Sequence, residues 1–235
     1  MILYRRTVEA IFLSRPNRFI AHCLLEGQQT ACHVKNTGRC KELLIPGCRV
    51  ILAGADNPLR KTAWDLVAVE SQGFLVNMDS QAPNLSAGEW LRSGGYGTDL
   101  QDVRPETVYR DSRLDFSYKR GDVTGFVEVK GVTLFNDEGI AAFPDAPTER
   151  GIKHLHTLME AVKDGHEAAV LFVIQRESAA CLVPNQVTHP AFAQALQQAA
   201  DSGVRLLART CLVTPQRMTI HQEVPVYPSG RPFVP

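Results

Sequence analysis

Polar and apolar residues alternate in short bursts over the first eighty positions. In 19–25, Phe19, Ala21, Cys23 and Leu25 recur at every second residue, the spacing that places side chains on one face of a strand. Further bursts at 7–13, 29–34, 49–53, 65–69 and 74–77 are separated by Gly, Pro and Asn, and Glu26-Gly27 offers a turn into the third. Many short strands at this spacing predict a small antiparallel barrel. An OB-type barrel fits their number; another small barrel stays open. Phe19 is assigned to the barrel core.

After Pro83 the period changes. Ser86 to Leu91 predicts a short helix with Ser86 as N-cap and Glu89 at the capping-box position, ended by Gly94-Gly95-Tyr96-Gly97. Positions 114–118 and 125–132 predict two strands around the turn Lys119-Arg120-Gly121-Asp122. A helix over 148–163 carries Ile152, Leu155, Leu158, Met159 and Val162 as its apolar stripe. The nearly unbroken apolar run 168–175 reads as a strand buried on both faces. A second helix from Pro190 to Gly203, strands at 204–210 and 218–224 and a Pro-rich end complete the chain. Residues 1–82 therefore form one predicted domain, and 83–235 a second of α/β (α+β) class.

Composition narrows the setting. At 44% hydrophobic and 21% charged residues, the chain is not mainly disordered. No apolar run approaches the ~18 residues of a membrane helix, and Met1 to Arg6 lack a signal-peptide pattern. A cytoplasmic location without membrane partners is expected. Six cysteines contain no C-x-x-C pair, so reduced, mostly buried thiols are expected rather than a zinc ribbon. The net charge is zero but unevenly spread: residues 1–61 hold ten Lys/Arg against four acids, and the remainder 15 against 21. A polyanion is drawn to the first part, whereas acids in the second suit a divalent cation.

Candidate chemistry lies in the second part. In Val127-Glu128-Val129-Lys130, side chains two apart share a strand face, so Glu128 and Lys130 project together. If Asp115, in Leu114-Asp115-Phe116, lies on a paired strand, two carboxylates and an ammonium converge. Carboxylate oxygens, water and a substrate phosphate are the ligands Mg²⁺ prefers, and a neighbouring Lys can stabilise transition-state charge. Arg150 and His154, four apart at the start of the 148–163 helix with Lys153 beside them, predict a phosphate contact. His156, His166, His189 and His221 are read as structural or exposed.

Taken together, His33-Val34-Lys35-Asn36-Thr37-Gly38-Arg39, Arg60-Lys61-Thr62 with Trp64, Ser112-Arg113-Leu114-Asp115-Phe116, Val127-Glu128-Val129-Lys130 and Phe143 to Leu155 resemble the sugar fermentation stimulation protein A (SfsA) family over nearly the whole chain. The resemblance implies an N-terminal OB fold and a restriction-endonuclease-like α/β domain with a mixed central sheet. It implies sequence-nonspecific DNA binding with a regulatory part in sugar (maltose) use. The second domain is also similar to PD-(D/E)xK nucleases, with Asp115 and Glu128 as ligands of Mg²⁺ (or Mn²⁺) and Lys130 assisting catalysis. Leu114 stands where the name-giving Pro would be, a change without effect on the ligands. Glu89 or Glu106 is a candidate further ligand.

The expected activity is Mg²⁺-dependent phosphodiester hydrolysis on DNA, with RNA or single strands as alternative substrates. Lys35, Asn36, Arg39, Lys41, Arg60 and Lys61 are expected to contact the nucleic acid, and Trp64 or Phe19 to stack on bases if not in the core. The alternative is a non-catalytic DNA-binding regulator. No P-loop, dinucleotide fingerprint or G-x-S-x-G elbow supports a small-molecule enzyme. The oligomeric state is open, a homodimer included.

Overall fold

The structure is a computed structural model that describes residues 2–230 except Thr37, Arg39, Asp56 and Pro58. The expectation for Arg39 thus falls outside the described residues. The first half consists of β1 (Thr7–Asn17), β2 (Ile20–Leu25), β3 (Gln28–Val34), β4 (Arg49–Gly54), β5 (Trp64–Ser71) and β6 (Phe74–Asn77). They follow the order β3-β2-β1-β4-β5-β6, and β3 also pairs in parallel with β5 through His33–Asp65 and Val34–Leu66. That last pairing closes five strands into the OB barrel. Ala10, Phe12, Ala21, Cys23, Cys32, Val34, Val50, Leu52 and Leu66 fill it, because alternate positions on each strand face inward.

Phe19 does not belong to this core. It is 46% exposed, with the Arg18 guanidinium 4.9 Å from its ring centre. Asn17 Oδ1 accepts hydrogen bonds from the amides of Phe19 and Ile20. Phe19 is thereby held in the β1–β2 turn, and the inward alternation starts two residues later at Ala21. Trp64 is half-buried against the barrel core, with Arg6 over its ring at 4.6 Å.

The second half comprises α1 (Ala82–Arg92), β7 (Gln101–Tyr109), β8 (Ser112–Arg120), β9 (Val123–Val132), β10 (Leu134–Phe135), β11 (Ile140–Phe143), α2 (Glu149–Lys163), β12 (Glu167–Ile174), β13 (Cys181–Pro184), α3 (Pro190–Asp201), β14 (Arg205–Thr214) and β15 (Arg217–Val224). The main sheet runs β15-β14-β12-β9-β8-β7; its centre, β9, β12 and β14, is parallel and its flanks are antiparallel. A smaller sheet joins β10, β11 and β13. Side chains of β12 are buried towards both faces: Ala168, Val170 and Phe172 pack with α2 and α3, and Ala169, Leu171 and Val173 with α1.

Helix α1 begins earlier than its sequence pattern predicts. Pro83 sits in its first turn, where a missing N–H costs nothing. Ser86 is therefore inside the helix, not at its cap, and its buried hydroxyl donates to the Met218 carbonyl at 2.8 Å. Helix α2 starts as expected, with Thr148 as N-cap accepting from the Gly151 amide at 3.0 Å.

The halves are joined by buried polar bonds and by shared apolar packing. The Asn77 amide donates to the Gln175 carbonyl at 2.9 Å, and Gln175 Nε2 donates back to the Asn77 carbonyl at 3.0 Å. One contiguous hydrophobic cluster runs from the barrel interior to α2 and α3. All six cysteines are free, and Cys48 alone is not fully buried. Among the described residues no helix is long and apolar enough to cross a membrane.

Candidate active site

Strands β8 and β9 form a hairpin, but their register runs only from Arg120–Val123 to Phe116–Val127. Beyond that point the strands separate. Ser112 meets Thr157 of α2 and Leu114 packs on the α2 side, whereas Phe116 and Tyr118 pack under α1. The strand alternation therefore slips at Asp115. Its carboxylate fills the gap: Oδ2 accepts from the Val129 amide at 2.7 Å, in place of a neighbouring strand's carbonyl. Oδ1 accepts from Asn84 Nδ2 on α1 at 2.8 Å. Burial, and next the nearby charge of Glu128, push the Asp115 carboxyl above the ordinary aspartate range.

On β9, Glu128 and Lys130 share the face towards α2, as period two requires. Lys130 Nζ donates to Glu128 Oε1 at 2.6 Å, and His154 Nδ1 donates to the same oxygen. The His154 Nε2 atom accepts from Arg150 Nε at 3.4 Å, which fixes the proton on Nδ1. Glu128 is only 3% exposed. Burial alone would push its carboxyl up, but the His154 hydrogen bond and the Lys130 ammonium outweigh it, and the net shift is downward. Glu128 thus stays anionic at neutral pH.

The second Glu128 oxygen, Oε2, is buried and has no hydrogen-bond partner among the described residues. Leaving a buried charged acceptor unpaired is costly. Together with Asp115 it offers the hard oxygen donors that Mg²⁺ takes, so the donor set fits such an ion. Among the described residues no three His, Cys, Asp or Glu side chains cluster as a metal site. Neither Glu89 nor Glu106 completes a third carboxylate, although both line a groove of about 820 Å³ with Asp115, Asn84 and Arg92. Two protein carboxylates, with water and phosphate as remaining ligands, suit a Mg²⁺ site.

Some expected residues are placed otherwise. Lys153 turns away from Arg150 and His154 to Asp111, at 3.0 Å. His154 is buried against Glu128 rather than open to a phosphate. In the barrel, Lys35 donates to Asp79 at 2.7 Å, and Arg60 grips Asp65 with two bonds of 2.6 and 3.0 Å. Asn36 Oδ1 accepts from the Gly38 amide. Lys41 and Lys61 are exposed. Asn84 escaped sequence reasoning because an Asn within a helix carries no signal of what it faces.

The chain matches the family described as the sugar fermentation stimulation protein RE domain over residues 81–217, and the SfsA N-terminal OB domain over 13–78. It belongs to the SfsA family. A sugar fermentation stimulation protein homolog of Desulfitobacterium hafniense (strain Y51) is 53% identical over 211 residues, 90% of this chain and 92% of that protein. One from Ruminiclostridium cellulolyticum is 45% identical over 223 residues, 95% and 98% of the two chains. The structure of Pyrococcus furiosus SfsA in complex with Ca²⁺ superposes with a TM-score of 0.86 at 23% identity, covering 97% of this chain and 98% of that one. That last likeness is one of fold.

Asp115 carries charge against its surroundings; with the Asn84 amide turned so that its oxygen accepts, Asp115→Asn keeps both hydrogen bonds and is expected to stabilise the metal-free SfsA chain by about 0.5–2 kcal/mol, the usual gain of one stabilising substitution. Differential scanning calorimetry in chelator checks this; a lower melting temperature would show that the carboxylate is structural.

Proposed function

We propose that this SfsA protein binds DNA through its barrel and hydrolyses phosphodiester bonds at Asp115, Glu128 and Lys130 with Mg²⁺ or Mn²⁺. The observation that carries the reading is the buried, unpartnered Glu128 Oε2, next to a second carboxylate whose acidity is weakened by burial and then by that charge. A protein of the same fold has been solved in complex with Ca²⁺, a hard cation like Mg²⁺.

A cation bound by Asp115 and Glu128 would polarise a phosphoryl oxygen and acidify a water. The chain's own groups do the rest. The Val129 amide and Asn84 orient Asp115. Lys130 supplies a positive charge for the attacking oxygen or the extra phosphate charge of the transition state. His154 is a positioning residue that holds Glu128, and Arg150 sets its tautomer. Because the Asp115 carboxyl is raised, metal binding weakens as pH falls while Glu128 is still ionised.

Sequence-nonspecific capture of DNA falls to cations without internal partners. Lys41→Ala or Lys61→Ala is expected to weaken binding equally on all sequences and to flatten the salt dependence by about one counterion each. Fluorescence anisotropy across salt concentrations measures this. Arg60→Ala acts differently: it removes two of the bonds to Asp65, leaving His33 as its partner, and is expected to destabilise the barrel.

The deciding experiment is cleavage of single- and double-stranded DNA and RNA with Mg²⁺ or Mn²⁺, comparing the unaltered protein with Asp115→Ala. Product from the first and not the second supports the reading. Salt-dependent binding without product on any substrate overturns it in favour of a non-catalytic regulator.

A further inference from the structure

A second cleft, of about 320 Å³, lies where the barrel meets the second domain. Gly131, next to Lys130, and Pro83, next to Asn84, form its inner wall; Asn36 and Gly38 of the barrel face Asp145 and Thr148 across it. At its floor stands Gln175, 2% exposed. Gln175 Nε2 is committed to the Asn77 carbonyl, Asn77 Oδ1 and the Asp79 carbonyl at 3.0, 3.2 and 3.3 Å. Those three acceptors fix which end of the amide is which. The Oε1 atom points the other way, to within 2.6 Å of where a Cβ on Gly131 would stand. Glycine leaves this oxygen open to the cleft, and it has no hydrogen-bond partner among the described residues.

The surrounding chemistry is one-sided. Asp145 contributes a carboxylate with no partner among the described residues, close enough to Gly38 that a Cβ there would lie 2.4 Å from Oδ2. Thr133, 8% exposed, adds an uncommitted hydroxyl, and the Asn36 amide nitrogen is the donor opposite, its Oδ1 being used by Gly38. Two acceptors, the Gln175 oxygen fixed at the floor and the exposed Asp145 carboxylate at the mouth, disfavour a phosphate and call for a ligand rich in N–H donors. Pro83, Pro144, Pro147 and the Phe143 ring give this otherwise polar cleft its apolar surface. Apolar surface with hydrogen bonds at one edge is how enzymes hold a base taken out of its stack.

We propose that this cleft binds the nucleobase of a nucleotide flanking the scissile phosphate, and that it prefers bases bearing an amino group (guanine, adenine, cytosine) over uracil and thymine. Gln175 Oε1 and Asp145 accept the two hydrogens of an amino group, or the amino and ring N–H of guanine together, and Asn36 and the Thr133 hydroxyl donate to the ring acceptor; uracil and thymine offer one N–H between two carbonyls. This reading rests on the proposed nuclease site for the position of the phosphate, but the base contact needs neither metal nor cleavage. It implies a substrate whose bases are unpaired at the cut.

The test is an NMR titration of the full chain, metal-free, with guanosine, adenosine, cytidine and uridine, and with glucose as a neutral polyol. Saturable shifts are expected for the amino-bearing nucleosides, with uridine at least ~5-fold weaker. Asp145→Asn should weaken them ~10-fold, the loss typical of a hydrogen bond to a charged group. Thr133→Val, nearly isosteric, gives a second probe should Asp145→Asn disturb the loop. Nucleoside binding in a protein that cuts nothing would sink the nuclease reading and leave the cleft assignment standing. A protein that cuts but binds no nucleoside, binds all four alike, prefers glucose or is indifferent to both variants overturns the assignment.

Discussion

Lys130→Ala is expected to lower the Mg²⁺-dependent cleavage rate by about 10²–10³, the usual loss when one group aimed at transition-state charge is removed. In the SfsA fold Lys130 brings an ammonium onto the strand that carries Glu128, 2.6 Å from its Oε1. His154 cannot replace it, being buried against that oxygen and tied to Arg150. DNA affinity should hardly change, because the Lys130 charge is balanced within the site. The signature is therefore a fall in kcat with KM and anisotropy-measured affinity retained. Equal cleavage by the variant and the unaltered protein would reveal a contaminating nuclease.

Glu128→Ala is expected to cost about 3–5 kcal/mol of folding stability, the range for removing one partner of a buried ion pair. Lys130 and His154 would be left facing each other with no anion between them. Glu128→Gln, which keeps an acceptor of the same shape, should lose less stability while losing cleavage just as fully. The pH dependence follows from the direction of the shift. The folded-state value for Glu128 is lowered, so its contribution is complete above the ordinary carboxylate range and is lost as pH falls through the lowered value. Asp115, shifted upward, has the opposite sign: its charge detracts from stability above its folded value, and it takes up a proton first on acidification. Denaturant melts across acid pH should show the unaltered protein losing its advantage over Glu128→Gln only at the acid end. A constant difference between the two would deny Glu128 its anionic role.

Much of this fold was legible because its core strands keep strict periods. The two-sided apolar run in β12 and the alternation in β1 to β5 leave few other arrangements. What escaped had weak periodicity. Strand β7 is an exposed edge interrupted by Pro105, with Asp102 and Glu106 in left-handed backbone conformation, and tolerates a pattern that reads as loop. Strands β10 and β11 are too short to show any period.

The site was legible in part. Period two put Glu128 and Lys130 on one face, and a helical spacing of four put Arg150 beside His154. The slip in alternation at Asp115 was not readable, since it depends on the two strands parting. Nor was the role of His154: a helical His near Arg suggests a phosphate, but packing against β9 gives it Glu128 instead. In the barrel, counting cations overstated the free positive charge, because sequence does not show that Asp65 and Asp79 hold Arg60 and Lys35.

The apolar cluster that passes unbroken from barrel to α2 and α3 makes the SfsA chain a single mechanical body rather than two beads on a string. A polymer gripped on one end of such a body meets the carboxylates at a span set by packed side chains, not by the slack of a tether. Severing the chain near residue 80 would not yield two self-sufficient pieces; each would present half of a common interior to water.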